Sequence, residues 1–128
     1  MNDRELAAGI HHVSLLISDT TRSLSFYQGV LGLEQVRERP DLDFSGAWLA
    51  VGAQQIHLLE LPSPDPVKGR PAHGGRDRHL ALSTDDLDAL VANLNQAGVE
   101  YSLSRSGRKA LFCRDPDGNA LEFIEMER

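Results

Sequence analysis

The chain is poor in the features that mark several large classes of protein. A single cysteine, Cys113, excludes an intramolecular disulfide. Its neighbours Leu111 and Phe112 are apolar and predict a buried strand position, not a reactive thiol. No apolar run approaches the ~20 residues of a membrane-spanning helix. The opening Met1-Asn2-Asp3-Arg4-Glu5 lacks the basic-then-apolar order of a secretory signal, so a cytoplasmic protein with no membrane partner is expected. Net positive charge is missing too: 13 Lys and Arg stand against 19 Asp and Glu, a formal charge of −6. Nucleic acid is therefore not the expected partner, because phosphate binding needs a basic surface. What is left is 128 residues with 41% hydrophobic and 25% charged content, the size and composition of one globular domain.

The sequence then repeats itself. His12-Val13-Ser14-Leu15-Leu16-Ile17-Ser18-Asp19 is echoed by His79-Leu80-Ala81-Leu82-Ser83-Thr84-Asp85-Asp86, Leu31-Gly32-Leu33-Glu34 by Ala97-Gly98-Val99-Glu100, and Ile56-His57-Leu58 by Leu121-Glu122-Phe123. Each copy predicts a βαβββ module. In module one, about 10–61, a strand over 12–17 leads to a helix capped by Asp19 or Thr20 and stopped by Gly32. A strand over 33–39 follows, then a hairpin of 47–51 and 55–61 turning at Gly52-Ala53. In module two, about 79–126, Thr84 or Asp85 caps a helix with Leu87, Leu90, Val91 and Leu94 at helical spacing. Strands over 99–104, 109–114 and 119–126 complete it, the last two joined by Asp115-Pro116-Asp117-Gly118. The proline- and glycine-rich 62–78 reads as a linker without a core element, and 125–128 as a solvated end. The fold class is α+β.

Period-two geometry sorts the strand residues into faces. Val13, Leu15, Ile17, Ile56, Leu58, Leu80, Leu82, Leu121 and Phe123 are apolar and belong under the helices. Glu60 interrupts that face and is expected at a strand end in water. His12, His57, His79 and Glu122 take the opposite, helix-free faces. A duplicated unit with one donor near each end can bring four donors to one centre. Imidazole nitrogens with a carboxylate suit Zn²⁺, Ni²⁺, Co²⁺, Fe²⁺ or Mn²⁺. His11, on the other face, and His73, in the linker, read as structural.

Two motifs narrow the reading further: Ser25-Phe26-Tyr27 followed by Val30-Leu31-Gly32-Leu33, and Asp115-Pro116-Asp117-Gly118-Asn119-Ala120-Leu121-Glu122. With the His12 and His79 strands they make the chain, over about 10–126, resemble the vicinal oxygen chelate superfamily. That superfamily includes glyoxalase I, the extradiol dioxygenases, methylmalonyl-CoA epimerase, the fosfomycin-modifying thiol transferases and the bleomycin-resistance proteins. The resemblance implies paired modules forming an open U-shaped mixed-sheet cavity with one divalent metal ion at its base. It assigns His12, His57, His79 and Glu122 as ligands and implies a homodimer, with each site lying within one chain or shared between two. Four ligands on a six-coordinate ion leave two adjacent positions for neighbouring substrate oxygens, with the metal as Lewis acid.

The leading activity implied is a glyoxalase I-like lyase or isomerase in which Glu122 moves the proton. Leu16 and Leu61 stand where relatives carry polar glutathione contacts, and His57 where bacterial glyoxalase I carries glutamate, so the resemblance does not extend to glutathione. An alternative is an extradiol-type dioxygenase using Fe(II) and O₂ on His12, His79 and Glu122, with His57 as an acid or base. A third is a non-catalytic antibiotic-binding protein of the bleomycin-resistance kind. Trp48, Phe112 and Arg108 are expected to bind substrate. Arg76, Arg78, Arg105 and Lys109 add basic charge that would draw a carboxylate or phosphate.

Overall fold

Alternating apolar positions build two mixed four-stranded sheets, one from each copy of the repeat. The computed structural model describes residues 4–104 and 106–126; Arg105 of the basic cluster, 1–3 and 127–128 lie outside the described residues. The order is β1 (His12–Ile17), α1 (Thr20–Tyr27), β2 (Glu34–Gln35), β3 (Gly46–Val51), β4 (Gln54–Glu60), a 3₁₀ turn at Gly74–Arg76, β5 (His79–Thr84), α2 (Leu87–Ala97), β6 (Tyr101–Leu103), β7 (Ala110–Arg114) and β8 (Ala120–Glu125). The sheets run β1-β4-β3-β2 and β5-β8-β7-β6. In each, the first strand pairs in parallel with the last and the other pairs are antiparallel. The α+β arrangement of two βαβββ modules is therefore present, and neither sheet closes into a barrel. Among the described residues no helix is long and apolar enough to cross a membrane.

The helix-side faces of both sheets meet in one core. Ile17, Ile56 and Leu58 from the first module and Leu111, Leu121 and Phe123 from the second share it with Phe26, Tyr27, Leu87, Leu90 and Leu94. Hydrogen bonds stitch the same boundary. Tyr27 Oη donates to Asp115 Oδ2 at 2.7 Å, Asn119 Nδ2 to the Leu16 carbonyl at 3.1 Å, and the Ser18 amide to Asp117 Oδ1 at 3.1 Å. Burial raises the Asp115 carboxyl above its ordinary value even though Asn119 and Tyr27 donate to it, and burial beside Asp115 raises the Tyr27 hydroxyl as well. Cys113 is buried, and its thiol is pushed up to about 12, mainly by desolvation, which leaves it unreactive.

Several local expectations need correction. The α2 cap is Asp86, not Thr84 or Asp85, because β5 continues through Thr84; Asp86 accepts from the Ala89 amide at 3.0 Å. Helix α1 ends at Tyr27, and Gly32 (φ +76°) closes a separate turn beyond it. The 33–39 strand shrinks to Glu34–Gln35, because β2 is an edge strand and Arg39 turns back to the Phe44 carbonyl at 2.8 Å. Glu60 ends β4 as expected but is half-buried, not in water: it accepts from the Thr20 amide at 2.9 Å, at the start of α1. Glu125 does the same for α2, accepting from the Leu87 amide at 3.0 Å. An acid at a helix N-terminus satisfies an orphan amide and opposes the dipole. Both modules use this device. The linker is also more ordered than its composition suggests. Asp77 accepts from Arg70 and Arg114, each at 2.8 Å, and these guanidinium hydrogen bonds, Arg114 first, hold its carboxyl at about 2. Gly74 is buried, with Ala120 and Phe112 close enough that a Cβ there would touch both.

Candidate metal centre

In the second module the sheet register sets the geometry. Glu122 lies opposite Ala81 on β5 and opposite Phe112 on β7, and its side chain is buried. His79, two residues before Ala81, shares that face. Its Nδ1–H donates to the Asp77 carbonyl at 3.0 Å, which orients the ring and leaves Nε2 facing Glu122 Oε1 at 3.2 Å. The other carboxylate oxygen, Oε2, accepts from an Arg108 nitrogen at 3.0 Å. An open cavity of about 770 Å³ lies over this group, lined by His73, Arg76, His79, Arg108, Phe112 and Glu122 among others.

This pair suits a cation. Two donors about 2.1 Å from one ion at adjacent octahedral positions lie about 3.0 Å apart, close to the Nε2–Oε1 spacing. A ring tied through Nδ1–H to a backbone carbonyl is the usual support of a ligating histidine.

The first module has the same register and a different outcome. His57 lies opposite Ser14 and Trp48, as Glu122 lies opposite Ala81 and Phe112. Its ring, however, is sandwiched: centroids lie 3.9 Å from His12, with planes 15° apart, and 4.1 Å from Trp48, with planes 4° apart. His57 Nε2–H donates to Gln55 Oε1 at 2.7 Å. Burial, followed by the charges of His12, His11 and Arg39, lowers its pKa. Ring nitrogens have their lone pairs in the ring plane, so two nearly parallel stacked rings do not aim at one point. His11 does not turn away as expected; its Nδ1 meets His12 Nδ1 at 2.9 Å.

A family model described as the Glyoxalase/Bleomycin resistance protein/Dioxygenase superfamily matches residues 9–123. The chain belongs to this superfamily. It is 33% identical over 123 residues to Glyoxylase I 4 of Arabidopsis thaliana, covering 92% of this chain and 71% of that protein. It is 31% identical over 127 residues to the lactoylglutathione lyase of Haemophilus influenzae, covering 91% of each. Among solved structures, a mutant of the fosfomycin resistance protein FosX from Listeria monocytogenes, complexed with Mn(II), superposes with a TM-score of 0.76 at 16% identity, covering 94% of this chain and 93% of that one. That last likeness is one of fold.

Within this superfamily member the four candidate ligands stand as two pairs, His12 with His57 and His79 with Glu122. Among the described residues no three His, Cys, Asp or Glu side chains gather where one cation would hold them. Phe112 and Arg108 lie beside the second pair, whereas Trp48 packs on the first and is not among the residues lining the cavity. Of the basic cluster, Lys109 turns to Asp88 and Glu125, and Arg78 pairs with Asp65. The cavity wall also contains Arg76, one of the expected basic residues, and His73, expected to be merely structural. His73 Nδ1 accepts from the Gly75 amide at 3.0 Å, and its ring packs 4.8 Å from Phe112. An irregular segment has no periodicity to reveal a wall; the Gly74-Gly75 pair was the one available cue to a close approach.

Proposed function

We propose that the protein is a divalent-metal-dependent enzyme that chelates a small substrate through two neighbouring oxygens, with glyoxalase I-like lyase or isomerase chemistry that does not require glutathione. The observation that carries this reading is the His79 Nε2–Glu122 Oε1 spacing of 3.2 Å, with His79 held from behind by the Asp77 carbonyl. The protein acts as a cytoplasmic homodimer in which His79 and Glu122 of one copy face His12 and His57 of the other. Support comes from the repeat itself: each module carries its pair at matching register positions, and one chain alone leaves the pairs separate.

A Ni²⁺, Zn²⁺, Fe²⁺, Mn²⁺ or Co²⁺ ion held there supplies a Lewis acid to the substrate oxygens. The chain's own residues divide the remaining work. Glu122 directs one oxygen toward His79 and the other toward the cavity side, so a single buried carboxylate is placed to hold a cation and to carry a proton. Phe112 supplies an apolar wall that excludes water. Arg108 and Arg76 bind the polar end of the substrate, and Trp48 holds the His57 ring.

The stacked His57 ring favours one second reading, an extradiol-type dioxygenase. With His57 turned to Gln55, the set His12, His79 and Glu122 is two histidines and one carboxylate, which suits Fe(II) and O₂ chemistry. Metal analysis of protein purified without chelators tests both. One transition-metal ion per site is expected, with Glu122→Gln losing metal and turnover while its circular dichroism stays that of wild type. Iron with O₂ uptake on catechols selects the dioxygenase. Wild-type protein that binds no transition metal overturns both readings and leaves small-molecule binding.

A further inference from the structure

The Glu122 carboxylate is almost completely buried, and a buried charge persists only when it is paired. At Oε2 its partner is Arg108, whose side chain is otherwise 55% exposed. Among the described residues this is the one contact the guanidinium makes, leaving most of its five donors turned to the cavity and solvent. Arg108 is thus a cation standing next to the place where the proposed metal ion would stand. Like charges a few ångströms apart repel, most of all near a buried group. A dication between Glu122 Oε1 and His79 Nε2 neutralises the carboxylate and removes the reason for Arg108 to remain on it.

The surroundings say what the released guanidinium meets. The cavity wall carries Arg76, His73, Ser104 and Ser106, with Glu122 as its single acid among the described residues. Once that acid is neutralised the cavity is positive, against a chain whose formal charge is −6. We propose that Arg108 is the resident counter-cation of Glu122, that it yields the carboxylate when metal loads, and that it then grips the anionic group of a carboxylate- or phosphate-bearing substrate. Metal and anion therefore bind in order and help each other. This inference rests on the metal-site reading above and adds a substrate class and a binding sequence to it.

The test uses the full chain stripped of metal, with Mn²⁺ alone and sulfate alone as probes, measured by titration calorimetry. In wild type, Mn²⁺ loading is expected to tighten sulfate binding about tenfold, within the usual range of coupling between two sites. In Arg108→Gln, Mn²⁺ is expected to bind about tenfold more tightly than in wild type, since a competing cation is gone, and the sulfate coupling is lost. Arg108→Lys keeps a positive charge without the planar fork, so it should return Mn²⁺ affinity toward wild type while recovering the sulfate response incompletely. Unchanged or weaker Mn²⁺ binding in Arg108→Gln overturns the inference, as does sulfate binding indifferent to Mn²⁺ in wild type. If Mn²⁺ binds and needs Glu122 but ignores Arg108, this inference alone fails. If wild type does not bind Mn²⁺, or Glu122→Gln binds it equally well, the metal-site reading fails with it.

Discussion

The two modules share strand order, register and even the acid that closes each helix start, yet their helix-free faces end differently. In the second, His79 and Glu122 bring a nitrogen and an oxygen within 3.2 Å, with each partner held by a further hydrogen bond. In the first, the equivalent His12 and His57 lie flat against each other, and Trp48 extends the stack. Duplication thus fixes where a side chain starts, and the neighbour opposite fixes where it points. Phe112 and Trp48 occupy the same cross-strand position relative to Glu122 and His57. A carboxylate gains nothing by lying on a ring face, whereas an imidazole stacks well on indole.

The contrast is sharpest in metal binding. His79→Ala is expected to lower Mn²⁺ affinity by more than about 100-fold, since even outer-shell changes cost about 10–100-fold, whereas His57→Ala should lower it by less than about tenfold. Equal losses in an equilibrium dialysis experiment would mean that the stack opens in the assembled protein and that the modules contribute alike. Next in size is the seam between them. Tyr27→Phe removes a donor from the buried Asp115 carboxylate and is expected to cost about 1–3 kcal/mol in a urea unfolding experiment.

Smaller effects test what the modules have in common. Glu60→Ala strips the acceptor from the start of α1 and should cost about 1 kcal/mol, as loss of a capping side chain does. Glu125→Ala should lower the melting temperature in the same direction through α2. The smallest change is a pH effect in the segment that joins the modules. Asp77 titrates at about 2 in the folded chain, below its ordinary 3.8, so its ion pairs with Arg114 and Arg70 contribute fully above pH ~4. That contribution fades as pH falls from ~4 to ~2, where the folded carboxylate gains its proton. Asp77→Asn should flatten this part of the acid melting curve, leaving any other acid-labile groups to act alone.

Much of this architecture was legible in the sequence, because period-two alternation is a local signal. Val13, Leu15 and Ile17 could be assigned to the core, and His12 to the opposite face, from spacing alone. The extent of β2 could not, since an edge strand lasts only as long as its single neighbour pairs with it. The role of Glu60 was hidden because its partner amide lies 40 residues away. The strand faces of His57, His79 and Glu122 were readable, and the ring orientation of His57 was not, since it depends on Trp48 and Gln55 together. His73 escaped notice because a wall made by an irregular segment depends on where Gly74 lands, on Phe112 and Ala120.

The bonds from Tyr27 to Asp115, Asn119 to Leu16 and Ser18 to Asp117 make the covalent bridge between the halves nearly redundant for cohesion. A protease nick at the exposed Ser63-Pro64 stretch should leave two fragments that travel together through a sizing column. The same interlocking implies that neither half, expressed by itself, would retain its shape, since each would expose the greasy side that the other now covers.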